Sequence, residues 1–317
     1  MADDYARHLQ ALHAGFEAPE ALIAQAARAV SSRPIAERER IVHGEANEVY
    51  RVAFDGGPEV IMRIARRAPG IFEKEAWAIG RCRALGMHVP KVLSIQTLEA
   101  AGEPLEVCIL EKLPGARLSD SLSLPRETLR NVVRELGEEI SRMHAIGPDD
   151  LGEAARFFED DTDDFLAIEA EFTELAVRAG LDRAALERGF RYFETVMTRG
   201  EPLPRRLTHN DFRACHVLVH EGRLSGLIDF GQVSLDTPIN EFAKWDYWEA
   251  PALPTAWLEE AYADKALFDD CYGERFAALR LANALWVLRL YSMTGYAGGV
   301  DVARTRIAGY LAELGVA

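Results

Sequence analysis

The feature that most constrains this 317-residue chain is a pair of acids placed around one short hairpin. Leu207-Thr208-His209-Asn210-Asp211-Phe212-Arg213-Ala214-Cys215 is a polar loop that runs into His216-Val217-Leu218-Val219. Glu221-Gly222 is a turn signal, and Leu224 to Phe230 is the returning strand, with Asp229 at its end. Either acid alone is ordinary, because aspartates cap turns and end strands. Two acids flanking a hairpin, with His209 two residues before the first, form a constellation that chemistry can use.

The rest of the chain sorts around that hairpin. Residues 4–30 are rich in Ala, Leu, Glu and Gln and read as one or two short helices, the second starting at Pro19. From Arg40 the pattern turns to strands: Ile41 to Gly44, Val49 to Phe54 and Val60 to Ile64, with Asp55-Gly56-Gly57 as a turn. Ile71 to Gly86 has the apolar spacing of a helix, and Val92–Thr97 and Glu106–Glu111 are two further strands. Pro114-Gly115 breaks the pattern. Beyond it Leu129, Val132, Val133, Leu136, Ile140 and Met143 form one helical face. Residues 165–198, and the chain after Ile239, read as helical. The expected fold is therefore α+β and two-lobed. Residues 1–112 form an N-terminal antiparallel sheet with one helix and a helical extension over 1–35, and residues 113–317 form a larger, mainly helical lobe. Clefts between such lobes are preferred ligand sites.

Phosphoryl transfer asks for little covalent chemistry from a protein. It needs a group that orients the attacking hydroxyl and metal ions that hold the phosphate oxygens. Asp211 suits the first task, since its carboxylate can accept the hydroxyl proton. Asp229 suits the second, since Mg²⁺ prefers hard oxygen ligands. On the strand Val60-Ile61-Met62-Arg63-Ile64, Arg63 is a cation in an apolar setting and needs a partner, for which Glu75 on the next helix is the candidate.

These segments resemble the aminoglycoside phosphotransferase family, which shares the protein-kinase-like fold. Protein kinases place an Arg-Asp pair before a later Asn and then Asp-Phe-Gly. Antibiotic kinases typically carry His-Gly-Asp with an Asn five residues after the Asp. This chain has His209-Asn210-Asp211 and then His216 at the place of that Asn, as in the branch containing aminoglycoside 2″- and macrolide 2′-phosphotransferases. The resemblance spans about residues 40–245 and rests on the positions of these motifs. It implies ATP or GTP as co-substrate and Mg²⁺ as cofactor, with Asp211 as the catalytic base and His216 and Asp229 as metal ligands. It further implies that Gly44 and Asn47 lie in the nucleotide-covering turn, that Arg63, paired with Glu75, meets the phosphates, and that the Glu111 carbonyl and Leu113 amide hold the nucleobase. In Asp236-Thr237-Pro238-Ile239-Asn240-Glu241-Phe242-Ala243, Glu241 replaces the family's usual Asp and is expected to brace the catalytic loop. His144 is expected to be structural.

Composition bears on the acceptor. With 36 basic and 51 acidic residues the net charge is −15, which disfavours nucleic acid and anionic membranes and favours a cationic small molecule. Two acidic stretches are the substrate candidates: Asp160 and Asp163 in one, and Asp246 and Glu249 among Trp245 and Trp248 in the other. Carboxylates there would attract ammonium groups, and the indoles would stack on sugar rings. The expected acceptor is an aminoglycoside. A macrolide, a metabolic alcohol such as choline, a sugar or an amino alcohol, or a nucleotide-binding protein without turnover are the alternatives. The four cysteines form no CxxC pair, no basic–apolar leader opens the chain and no apolar run reaches membrane-spanning length. A cytoplasmic, monomeric enzyme is the expectation.

Overall fold

The structure, a computed structural model, describes residues 2–44, 47–66, 70–100, 102–159 and 165–316. The chain divides into two compact units, Met1–Ala116 with Ser225–Gly231, and Arg117–Leu224 with Gln232–Ala317. The boundary expected at 112/113 is linear, whereas this division returns the segment carrying Asp229 to the first unit.

The first unit opens with α1 (Ala2–His13) and α2 (Glu20–Ala27), the latter entered through Pro19. It continues with β1 (Ile35–Ile41), β2 (Asn47–Phe54), β3 (Glu59–Ala65), α3 (Ile71–Ala84), β4 (Val92–Ala100) and β5 (Glu103–Glu111). The five strands form an antiparallel sheet in the order β1-β2-β3-β5-β4. Side chains alternate across a strand, so residues two apart share a face. On one face Tyr50, Val52 and Phe54 of β2, Val60, Met62 and Ile64 of β3, and Val107 and Ile109 of β5 pack with Leu22, Ile23 and Ala26 of α2. Alternation then sends Arg63 of β3 and its register partner Cys108 to the other face. That face is the one carrying α3.

The first strand corrects the sequence reading. It runs from Ile35 to Ile41, not from Ile41 to Gly44, and Gly44 adopts a left-handed φ of 84° in the turn. Its charged run concealed it. Glu37 and Glu39 sit on an edge strand and pair with Arg51 of β2 at 2.8 and 2.9 Å, a way of charging an exposed sheet edge.

In the second unit, α4 (Arg126–Met143) buries its whole apolar stripe, Leu129, Val132, Val133, Leu136, Ile140 and Met143. Burial of each such side chain contributes about 1.5–3 kcal/mol. The tract expected to be helical over 165–198 is broken into a short 3₁₀ turn, α5 (Glu169–Arg178) and α6 (Arg183–Met197). Gly180 leaves α5 at φ 91°, and the Asp182 carboxylate caps α6 by accepting the Ala185 N–H at 2.8 Å. The helices α7 (Pro238–Glu249), α8 (Ala256–Ala261), α9 (Tyr272–Thr294) and α10 (Ala297–Glu313) complete the unit.

Short strands frame the loop of interest. β6 is Ala116–Arg117, β7 (Arg206–Thr208) pairs antiparallel with β10 (Ser234–Asp236), and β8 (Val217–His220) and β9 (Arg223–Leu227) form the expected hairpin. Its turn is Glu221-Gly222, both left-handed at φ 50° and 75°, as a two-residue hairpin turn of matching twist requires. Among the described residues no helix is long and apolar enough to cross a membrane.

Candidate active site

The first unit assembles one cluster from three distant segments. Arg63, 6% exposed, donates from Nη1 to Glu75 Oε1 on α3 and from Nη2 to Asp229 Oδ1 at 3.1 Å. Its guanidinium also lies over the Phe72 ring, 5.3 Å from the centroid. Burial opposes the charge on Arg63, but Glu75 and Asp229 outweigh it and raise its pKa further. Burial pushes the Glu75 carboxyl above its usual range despite the pull of Arg63 and a hydrogen bond from the Phe230 backbone amide. Asp229, two residues past the end of β9, adopts a left-handed φ of 67°, a conformation that Asp tolerates better than most L residues.

Other expected nucleotide residues sit around this sheet. The Gly44 carbonyl accepts a hydrogen bond from His13 Nε2 at 2.8 Å, which ties α1 to the turn after β1. Asn47 is buried at the start of β2. Glu111 closes β5, where its carboxylate accepts the Lys91 N–H at 3.0 Å. Leu113 packs so closely on Gly226 that a Cβ there would stand 2.3 Å from Leu113 Cδ1.

The second unit builds the loop around Asp211. Glu241 on α7, 1% exposed, accepts the backbone N–H of His209 and of Asn210, each at 2.9 Å. Burial pushes the Glu241 carboxyl up, but His144, His209 and Lys244 hold it below its usual range. Its expected bracing role is thus visible as two main-chain hydrogen bonds. Asn210 is left-handed, at φ 64°, which explains the departure from His-Gly-Asp: after Gly, Asn is among the residues that best accept this region. Asp211 is about one-third exposed, at 32%, with Arg213 Nε 3.8 Å and His216 Nδ1 3.6 Å from its carboxylate. His216 Nδ1 donates to the Asp211 carbonyl at 2.8 Å. A carbonyl can only accept, so the neutral ring carries its lone pair on Nε2.

The expected substrate residues fare differently. Asp160 and Asp163 lie outside the described residues. Trp245 is corrected: it is fully buried, lies tilted against Phe212 and donates its indole N–H to the Leu253 carbonyl at 3.0 Å, so it has no surface to offer a ligand. Asp246 already has an internal cation, Arg280, at 2.8 Å. Trp248 and Glu249 support the loop instead. The Arg213 guanidinium lies 4.4 Å from the Trp248 centroid, and Glu249 accepts the Ala214 N–H at 2.8 Å. Sequence reasoning passed over Arg213 and Lys244, the latter donating to the Asn210 carbonyl at 2.8 Å. Spacing of Lys244 three residues after Glu241 on one helix was the available signal.

The fold defines a class, the kinase-like phosphotransferases. Residues 37–281 match the APH phosphotransferase enzyme family, and the chain belongs to that family. It is 24% identical over 218 residues to hygromycin-B 4-O-kinase of Escherichia coli, a stretch covering 64% of this chain and 60% of that relative. Its fold is similar to a thermostable variant of aminoglycoside phosphotransferase APH(4)-Ia in ternary complex with AMP-PNP and hygromycin B. There the TM-score is 0.67 at 21% identity, over 88% of this chain and 94% of that one. It is also similar to aminoglycoside 2'-phosphotransferase-IIIa with GDP, at TM-score 0.69 and 17% identity over 89% and 95% of the two chains. The amicoumacin kinase hAmiN, in complex with AMP-PNP, Ca²⁺ and Ami, gives TM-score 0.67 at 14% identity over 92% and 93%.

Proposed function

We propose that this chain transfers the terminal phosphate of ATP or GTP, with Mg²⁺, to a hydroxyl of a cationic, aminoglycoside-like small molecule. The observation that carries this reading is the Asp211 carboxylate, partly exposed on a turn whose preceding amides are both fixed by Glu241. A carboxylate so held can accept a hydrogen bond from an alcohol and take its proton as the new bond forms.

Taken one at a time, the donor atoms of Asp229 and of His216 fit a divalent cation. Asp229 offers hard oxygen, which Mg²⁺ prefers. His216 offers nitrogen, a softer ligand, in the tautomer that its Asp211 hydrogen bond selects. Bound Mg²⁺ would neutralise charge on the phosphate oxygens during transfer. Arg63 orients Asp229 through one Nη2 hydrogen bond and, with five N–H donors in all, retains capacity for phosphate oxygens. Gly44, Asn47, Glu111 and Leu113 are assigned to the nucleotide, the last two through main-chain atoms.

A cationic acceptor is favoured by the net charge of −15 and by relatives named for hygromycin and aminoglycosides. Trp248 and Glu249 then act mainly by shaping the loop, and Asp246 by holding Arg280, rather than by touching the acceptor. The test is incubation of purified protein with ATP or GTP, Mg²⁺ and a panel of aminoglycosides, macrolides, choline and amino alcohols, read by mass spectrometry. Gain of one phosphoryl group on an aminoglycoside supports the reading. Transfer to a macrolide or a metabolic alcohol alone reassigns the acceptor, and no transfer to any of them by folded protein refutes the activity.

A further inference from the structure

We propose that Lys244 is a positioning residue that sets the direction of the Asp211 carboxylate by clamping Asn210 from α7. The inference rests on the reading of Asp211 as catalytic and names a residue that this reading does not require.

The argument starts from backbone geometry. Asn210 sits at φ 64°, where an L residue costs about 1–2 kcal/mol relative to the right-handed region. Something must hold it there, and α7 does so on both sides. Glu241 Oε1 accepts the Asn210 N–H at 2.9 Å. Lys244 Nζ donates to the Asn210 main-chain carbonyl at 2.8 Å and also to the Asn210 side-chain carbonyl. Glu241 and Lys244 are three apart on one helix and so share a face.

The Asn210 carbonyl belongs to the peptide plane that also contains the Asp211 nitrogen and leads to the Asp211 Cα. Lys244 therefore fixes the plane from which the Asp211 side chain departs, while Glu241 fixes the plane before it. The Asn210 side chain supplies a second point of attachment that glycine would lack. The ammonium is balanced by acidic neighbours: Asp236, whose carboxyl burial pushes up and Lys244 pulls down, and Glu241. With both planes held, the catalytic turn has one arrangement, and misplacement of a reacting group by about 1 Å can cost on the order of a hundredfold in rate.

The experiment compares wild type, Lys244→Met, Asn210→Gly and the double variant in steady-state phosphoryl transfer, with Asp211→Asn in the same assay. Lys244→Met is expected to lower kcat about ten- to a hundredfold with nucleotide KM within about twofold. Asn210→Gly is expected to cost only a few-fold, because the main-chain attachment remains, and the double variant to be no slower than Lys244→Met. A readout independent of turnover is hydrogen exchange in the peptide spanning residues 207–215, expected to quicken in Lys244→Met at an unchanged global unfolding midpoint. Unchanged kcat, a rise in KM alone, multiplicative losses in the double variant, or unchanged exchange overturns the proposal. If Asp211→Asn turns over like wild type, the catalytic reading fails instead. If Lys244→Met does not fold, Lys244→Gln, which is uncharged and one bond shorter, takes its place, and wild-type exchange together with wild-type kcat in that variant and in Asn210→Gly overturns the clamp.

Discussion

Arg63 and Asp229 stand 166 positions apart in the chain and meet at 3.1 Å, with Glu75 closing the cluster on the other side of the guanidinium. One cation thus serves a carboxylate that is almost fully buried and another that is 43% exposed. The buried partner sets the stability consequence. Arg63→Met leaves Glu75 without its counter-charge, and breaking a buried pair in this way costs about 3–5 kcal/mol. Arg63→Lys keeps the charge but not the planar fork, so it is expected to lose less stability and still release Asp229. Urea unfolding of both variants checks this. A loss below about 1 kcal/mol in Arg63→Met would show that Glu75 does not depend on the arginine.

Asp211→Asn isolates the proton-accepting role. The amide matches the carboxylate in shape but cannot take a proton, and its neighbours Arg213 and His216 remain. General-base contributions are typically about 10²- to 10⁴-fold, so kcat is expected to fall in that range while nucleotide affinity stays near wild type. Pre-steady-state transfer and calorimetric nucleotide binding together distinguish this from a binding defect. Turnover within about threefold of wild type would remove Asp211 from the chemistry.

Metal removal probes Asp229 apart from Asp211. Chelation with EDTA is expected to abolish transfer, with recovery on adding Mg²⁺. Asp229→Ala is expected to require a higher Mg²⁺ concentration for half-maximal rate, because one hard oxygen ligand is gone. A Mg²⁺ titration that superimposes on wild type would assign Asp229 to holding Arg63 alone.

What was legible in the sequence follows from which physical signals are periodic. The α4 stripe from Leu129 to Met143 was readable because burial at helical spacing leaves a pattern in residue type. The hairpin was readable because Glu221-Gly222 needs left-handed backbone at both positions. β1 was misplaced because edge strands are charged for reasons unrelated to their pairing, as Glu37 and Glu39 show. Trp245 was misassigned because an indole in an acidic, aromatic stretch reads alike whether it faces a ligand or, as here, the core beside Phe212. The Lys244–Asn210 contact left only the Glu241–Lys244 spacing as a trace, because it depends on φ at one residue, and Asn is common in ordinary turns.

The Glu241 brace carries a pH signature whose sign is fixed by the basic groups around it. Burial raises the Glu241 pKa, yet His144, His209 and Lys244 leave it below the ordinary 4.5, so the folded state prefers the ionised form. A depressed folded-state pKa contributes stability that is fully present above the unfolded value and is lost as pH falls through the folded value. The stability margin of wild type over Glu241→Gln is therefore expected to be constant near neutrality and to shrink below about pH 4.5. Urea unfolding of both proteins from neutral pH to about pH 3 measures it. A margin that widens on acidification would mean that the carboxylate is destabilised in place.

Two helical glycines test how closely the helices pack. In an exposed helix interior, Gly→Ala gains about 0.8–1 kcal/mol in propensity. Gly80 in α3 has nothing within 4 Å of where a Cβ would lie, so Gly80→Ala is expected to stabilise by about that amount. Gly137 in α4 faces α8, and its Cβ would stand 2.5 Å from the Leu258 carbonyl oxygen and 3.2 Å from Leu258 Cα. Backbone cannot swing aside as a flexible side chain can, and overpacking costs about 1–3 kcal/mol or more. The steric loss exceeds the propensity gain, so Gly137→Ala is expected to lower the unfolding midpoint while Gly80→Ala raises it. Thermal unfolding of the pair decides the matter, and a stabilised Gly137→Ala would mean that α4 and α8 sit farther apart than the 2.5 Å contact requires.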